Sequence, residues 1–383
     1  MLRPYLDGAI QQTIVRGQRL ILRIPRDLPR DYSALEQICR SRINTFIEEL
    51  RSLLGDLFRD DSNQGIRLRR FRRIVADLDL LETTAFMALA RAHKDDHRFN
   101  WLLERIKREI RFPLPTPVVS ALSQEYFQIE TNLNLLFVPL SEVDFLLHIP
   151  DLYHELAHPL LSVANDLAVE PFQKLYHSAL ENVIDHLEQL ERHESRRYGP
   201  SSYKRMLDLW TEGWCPYWLN EFFCDAFAAF TVGPAYGWAH LHLSAKRGKD
   251  PFEVLGPNMS HPADDARMHL VCECLNLTDF GEAAGRLTSS WSTFLQQSRA
   301  KREPEYDRCY PSPLLKEIAK KALEGVKGIG CRIAHPSTQD SVHILLNSAW
   351  DRFWEDPSRY SEWEQRAVQD LYAKLLPTDS ESQ

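Results

Sequence analysis

No stretch of this chain carries the roughly 18 consecutive apolar residues that a membrane-spanning helix requires. The longest candidate, around Leu133 to Leu140, is interrupted by Pro139. The opening residues, MLRPYLDGAIQQTIVRGQ, hold no continuous apolar region and no small-residue cleavage site, so no signal peptide is expected. A disulfide framework is missing too. The seven cysteines (Cys39, Cys215, Cys224, Cys272, Cys274, Cys309 and Cys331) are odd in number and repeat no spacing. A soluble chain in a reduced, cytoplasmic compartment is the expectation. Nor is there an excess of positive charge: 46 Lys and Arg stand against 54 Asp and Glu, a net charge of −8. That argues against nucleic acid as the main partner. Internal repeats and low-complexity segments are absent as well. With 383 residues, 44% of them apolar, the chain can bury a large core unaided, so any metal it holds is expected to be catalytic rather than structural.

What the chain does have is helical periodicity. From Tyr32 to about Leu57, apolar residues recur three and four apart (Leu35, Ile38, Ile43, Phe46, Ile47, Leu50, Leu53, Leu54). Similar patterns run over 66–91 and 99–110, and the three suggest an antiparallel helical region. The punctuation FPLPTP at Phe112 to Pro117 closes it. Two short runs, YFQIE from Tyr126 and LNLLFVPL from Leu133, are the candidate strands. Helical patterns return near 150–166, 170–194, 201–211, 216–230, 234–246, 262–276 and 280–298. The stretch KREPEYDRCYPSP then separates a final helical pair near 338–353 and 359–375, and TDSESQ reads as a frayed tail. The expected fold is mainly α, with a minor β element. The expected regions are 1–115 (N-terminal helices), 116–300 (core) and 301–383 (C-terminal helices).

Residues 154–158 read His-Glu-Leu-Ala-His. On a helix, positions four apart share a face, so His154 and His158 can reach one metal ion. Glu155 adjoins that face, where a carboxylate can take the proton of a water acidified by the metal. Leu152, Tyr153, Leu156, Ala157, Leu160 and Leu161 give the segment a buried helical stripe, and Pro150 suits its first turn. The plainer alternative is a helix with two packed or exposed histidines. Pro159 lacks an amide proton for the Glu155 carbonyl, so a kink is expected after His158.

A catalytic metal with an open position needs a third protein ligand. The segment PYWLNEFFCDAFAAF, 216–230, is apolar almost all round, yet it carries Glu221 and Asp225 on one face. Buried carboxylates are costly unless paired or bound to a cation. One of them can bind metal while the other accepts a hydrogen bond from a ligand histidine; an ion pair with Arg or Lys is the alternative. In SHPADDAR, 260–267, Pro262 suits a helix start and Asp264 and Asp265 its first turn. There His261 can donate to an oxyanion, and Arg267 can pair with Asp225 or Glu221. Ordinary capping is the competing reading of this segment.

HELAH, then NEFFCD at 220–225, then SHPADDAR, in that order, resemble a gluzincin metallopeptidase of the group that includes CAAX prenyl endopeptidases and membrane heat-shock proteases. The resemblance spans about 141–277, and GPAYGWA from Gly233 is similar to the segment after the second helix in bacterial relatives. It implies a zincin-like core with Zn2+ on His154, His158 and Glu221, and Glu155 as general base. It further implies that Asp225 orients a histidine and that His261 and Arg267 line the site. The implied activity is hydrolysis of peptide bonds, within chains rather than at their ends, in a peptide or protein substrate. Two features depart from that group: the chain has no membrane span, and Pro159 directly follows the motif.

Other features read as structure. His93 and His97, in HKDDH, suit a solvated helix face, as does the basic run RLRRFRR at 67–73. Cys272 and Cys274, near His269, read as core cysteines. His335-Pro336 lacks the surroundings of His261-Pro262. Tyr236 reads as a packed tyrosine, with oxyanion donation as its functional alternative. Two rival functions remain: a metal-dependent hydrolase of a non-peptide amide, and an interaction or scaffold protein that docks partners on a zincin-like core or through its N-terminal helices.

Overall fold

The computed structural model describes residues 2–55, 63–90, 94–121, 126–139, 142, 144–198, 204–254, 260–339 and 341–375. His93, Leu140 and the tail from Thr378 lie outside them. The chain is mainly helical with one small three-stranded sheet, and it divides into two compact units.

The first unit comprises Met1–Asn100 and Pro117–Leu140. It holds α1 (Leu2–Arg23), α2 (Ser33–Leu53), α3 (Gln64–Leu81), the short α4 (Met87–Ala90), the start of α5 (Lys94–Ile110), and strands β1 (Val118–Ser120), β2 (Gln128–Glu130) and β3 (Leu135–Phe137). Leu35, Cys39, Ile43 and Ile47 form the buried stripe of α2, and they share one cluster with Leu20, Ile24, Leu78, Leu81, Val118 and Leu135. Val118, Leu133 and Leu135, grouped in the sequence with the core, thus pack with the N-terminal helices. β3 is the central strand, parallel to β1 and antiparallel to β2. The periodicity over 66–91 is interrupted by a π-turn at Glu82–Phe86. Two residues expected on solvated faces are not there. His97 lies 2.7 Å from Asp31 with its side chain 23% exposed, and Arg67 is 2% exposed and paired with Asp7.

The second unit comprises Trp101–Thr116 and Ser141–Gln383. Its helices are the end of α5, then α6 (Asp151–Ser162), α7 (Glu170–Tyr198), α8 (Lys204–Gly213), α9 (Leu219–Val232), α10 (Pro234–Arg247), α11 (Asp264–Asn276), α12 (Gly281–Ser298), α13 (Pro304–Cys309), α14 (Ser312–Gly328), α15 (Val342–Glu355) and α16 (Tyr360–Leu375). Among the described residues no helix is long and apolar enough to cross a membrane. Apolar all round, α9 is the central helix, packed by α6, α7, α10, α11, α14 and α15; every residue from Glu221 to Val232 is buried. α14 escapes the periodicity reading because its start is proline-rich, but proline is tolerated in a helix's first turn. Its Leu314, Leu315, Ile318, Ala322 and Val326 are all buried.

α6 does not stop at Pro159 but stays helical to Ser162. The proline forfeits one backbone hydrogen bond, while Leu152, Leu156 and Leu160 remain fully packed. Gln173 Nε2 then donates to the carbonyls of Leu160 (2.9 Å) and Val163 (2.8 Å) and finishes the helix.

Two glycines set how α9 is reached and left. A π-turn, Trp214–Trp218, joins α8 to α9. A Cβ on Gly213 would lie 2.4 Å from the Trp218 indole, which is fully buried. Gly233, at φ +83°, reverses the chain directly into α10. Gly213→Ala is expected to destabilise the second unit by about 1–3 kcal/mol through this overlap, read as a lower urea midpoint at unchanged slope.

Candidate metal centre

α6 and α9 pack side by side, and their inward faces carry His154, His158, Glu221 and Asp225. His154 Nε2 lies 3.4 Å from Glu221 Oε2, and His158 Nε2 lies 3.8 Å from Glu221 Oε1. The two imidazole centroids are 5.1 Å apart. From the start of α11, Arg267 reaches over both carboxylates. Its Nε and one terminal nitrogen donate to Asp225 at 2.8 and 2.6 Å, and the latter stands 3.8 Å from Glu221. His261 presents Nε2 3.6 Å from Glu221 Oε2 while its side chain stays 56% exposed. Glu155 follows His154 on α6 and is buried at 9% exposure. The six other residues singled out in the sequence therefore converge, with Glu155 on the same helical turn as His154.

Tyr236 is more than a packed ring. It is buried, and the Gly233 reversal returns its hydroxyl to Asp225 Oδ1, to which it donates. The Tyr236 hydroxyl oxygen also lies 3.0 Å from His154 Nδ1 and accepts from Arg267 at 3.3 Å. The hydroxyl proton is engaged by Asp225. Nothing local in the sequence around Tyr236 announces the contact.

The His261 segment is tied down from three sides. Ala263 N–H donates to the Tyr310 hydroxyl at 3.3 Å, and Asp265 N–H to the Pro251 carbonyl at 3.0 Å. Trp291 Nε1 and the Tyr306 hydroxyl each donate to the Asp265 carboxylate at 2.7 Å. α11 begins at Asp264 with Ala263 as its cap, so Pro262 precedes the helix instead of opening it. Asp264 and Asp265 lie in the first turn of α11, as expected, and Asp265 is in addition a buried anchor.

Burial alone would raise both carboxylates of α9. Arg267 and His154 outweigh it at Asp225, which lies well below the usual range; His154, Arg267 and His261 bring Glu221 down to about 2. At His154 burial is likewise outweighed: Asp225 and Glu221 raise the imidazole to about 10. Burial and the charge of His154 push His158 down to about 4, so its ring is neutral at neutral pH.

These residues fit a divalent cation. Glu221 Oε2 is buried without a hydrogen-bond partner. The donors of a tetrahedral site with bonds of about 2.0–2.1 Å lie about 3.3 Å apart, close to the 3.4 Å between His154 Nε2 and that oxygen. Asp225 at 2.9 Å from His154 Nδ1 supplies the carboxylate backing typical of a ligand imidazole. A second donor set overlaps this one: ligand atoms of His154, His158 and Cys224 lie within 4.8 Å of one another. In the sequence Cys224 is indistinguishable from apolar filler. Burial, then the charges of Glu221, Asp225 and Glu155, hold its thiol well above the usual value. All seven cysteines are free thiols, and Cys272 and Cys274 are buried.

The chain matches no family model, no curated protein and no solved structure.

Two outcomes are expected. Arg267→Met removes both guanidinium bonds from buried Asp225 and should cost about 3–5 kcal/mol in urea unfolding, most of it recovered in the double variant with Asp225→Asn. In chelator-treated protein, the depressed carboxylates contribute stability fully above about pH 4.5 and lose it as pH falls toward about 2. The raised His154 contributes fully below about pH 6.5 and loses it as pH climbs through about 10. The melting temperature should fall on both sides of that window, and Asp225→Asn should flatten both falls.

Proposed function

We propose that this chain is a zinc-dependent peptidase that hydrolyses peptide bonds at the His154, His158 and Glu221 centre, within a zincin-like core. The observation that carries the reading is Glu221 Oε2: buried, unpartnered, and faced by His154 and His261 at 3.4 and 3.6 Å. The motif resemblance supports it independently of geometry.

His154, His158 and Glu221 would hold the ion, which when bound supplies Lewis acidity to the scissile carbonyl and lowers the pKa of water. Glu155 accepts the proton from the attacking water on its carboxylate and returns it to the leaving amine. His261, half-exposed at the mouth, donates from Nε2 to the oxygen that becomes negative. Asp225 and Tyr236 fix the His154 ring from behind, and Arg267 holds both α9 carboxylates ionised. The free thiols support a reducing, cytoplasmic setting. Internal cleavage of peptides or proteins is the proposed specificity, with a non-peptide amide as the variant of the same chemistry.

Cys224 favours one other reading: if its thiol closes the coordination shell, the centre is structural and the chain is a docking module.

Glu155→Gln should retain about one zinc per chain by elemental analysis and lose at least about a hundredfold in turnover on a peptide library. Retained turnover would overturn the mechanism. Glu221→Ala should lose the zinc; full zinc content in that variant would hand the third position to Cys224.

A further inference from the structure

Between α15, α16 and the end of α5 runs a groove of about 860 Å3. A packed interior leaves no such space among its own side chains. α15 lines the groove with Ile344 and Leu345, and α16 with Trp363, Ala367 and Leu375; all five are only half-buried. Contiguous apolar surface left to water marks an interaction site. At the α5 end, Glu109 accepts from Arg105 Nε at 2.5 Å and from the Val342 amide at 2.8 Å, so that carboxylate is balanced from within the chain.

The pattern of α16 says what covers the groove. Trp363, Ala367, Leu371 and Leu375 stand four apart and form one ridge of the helix. The ridge beside it is charged: Glu362, Arg366, Asp370 and Lys374 are all exposed and alternate in sign. Opposite charges at this spacing can pair along a single helix. Arg366 does not use Glu362 in that way, because its Nε donates to the Glu362 backbone carbonyl, at 3.1 Å, and not to the carboxylate. The alternation has a further property: reversed, it becomes its own complement. A second α16 laid antiparallel to the first, about a two-fold axis level with Val368, sets Glu362 against the partner's Lys374 and Arg366 against the partner's Asp370. Each contact then occurs twice. A parallel partner in the same register sets like charge against like.

We propose that this groove is the interface of a two-fold homodimer, in which the α16 of each copy lies antiparallel in the groove of the other. Ridges of residues four apart pack together in the commonest class of helix contact. A two-fold contact demands a surface that complements itself, and the charged ridge of α16 does. The apolar ridge and the half-buried residues of α15 supply the area, and the charges set register and direction. None of these residues belongs to the proposed metal centre, so the dimer stands or falls apart from the peptidase reading.

The test is sedimentation equilibrium of the full chain in low salt, with circular dichroism to confirm that each variant is folded. Wild type should be dimeric at about 10 μM. Arg366→Glu puts two pairs of like charge into the interface and should weaken the dimer at least about tenfold. The exchange variant, Arg366→Glu with Asp370→Arg, keeps every antiparallel pair opposite in sign. It should dimerise with itself again but pair poorly with wild type. A wild type still monomeric at about 100 μM overturns the proposal and leaves the groove to a helix of another protein or to an amphiphilic small molecule. A dimer that Arg366→Glu leaves intact, or a folded exchange variant that stays monomeric, overturns it equally.

Discussion

Asp225 has no contact with solvent, and its charge is tolerated because Arg267 grips it through two nitrogens. Without that guanidinium a carboxylate at the centre of α9 costs several kcal/mol. With it, Asp225 becomes a fixed acceptor to which Tyr236 and His154 Nδ1 are both committed. The ring of His154 is thereby set, and its other nitrogen faces Glu221. Arg267 and the raised imidazole of His154 together balance the two buried carboxylates, and Glu221 Oε2 is left with no hydrogen-bond partner. An ion that takes the place of the His154 proton keeps that balance.

The site is legible where helical geometry alone decides it. His154 and His158, and likewise Glu221 and Asp225, are four apart, and that spacing fixes a shared face before any tertiary contact exists. Arg267 can be named because a buried acid needs a base. The hidden contacts depend on chain reversal. Tyr236 meets Asp225 only because Gly233 turns the chain back at φ +83°. Cys224 looks like filler because a thiol among phenylalanines gives no pattern of its own. Asp265 looks like a capping charge because its partners, Trp291 and Tyr306, come from distant helices.

For the fold, long periodic segments declare themselves and short or proline-edged ones do not. α2 and α9 are plain in the sequence. β1 is three residues long, too short to alternate. α14 hides behind prolines that mark a helix start as readily as a break. Periodicity names the buried face of a segment but not its partner. The strands therefore pack with α1 to α3, although in sequence they adjoin the helix of the two histidines.

The π-turn at Trp214–Trp218 carries a consequence of another kind. A π-turn closes on the fifth residue rather than the fourth, so it stores one residue more than a regular turn. Each residue of an α-helix turns the face by about 100°. A substitution in α8 or α9 changes one side chain at a time. Losing a single residue between Gly213 and Leu219 would let the wide turn relax into an ordinary one and leave α9 facing α6, whereas the loss of Leu219 or Asn220 would rotate Glu221, Cys224 and Asp225 off that face. The centre is thus written in the length of the chain as well as in its composition, and the wide turn is a place where the loss of one residue can be absorbed.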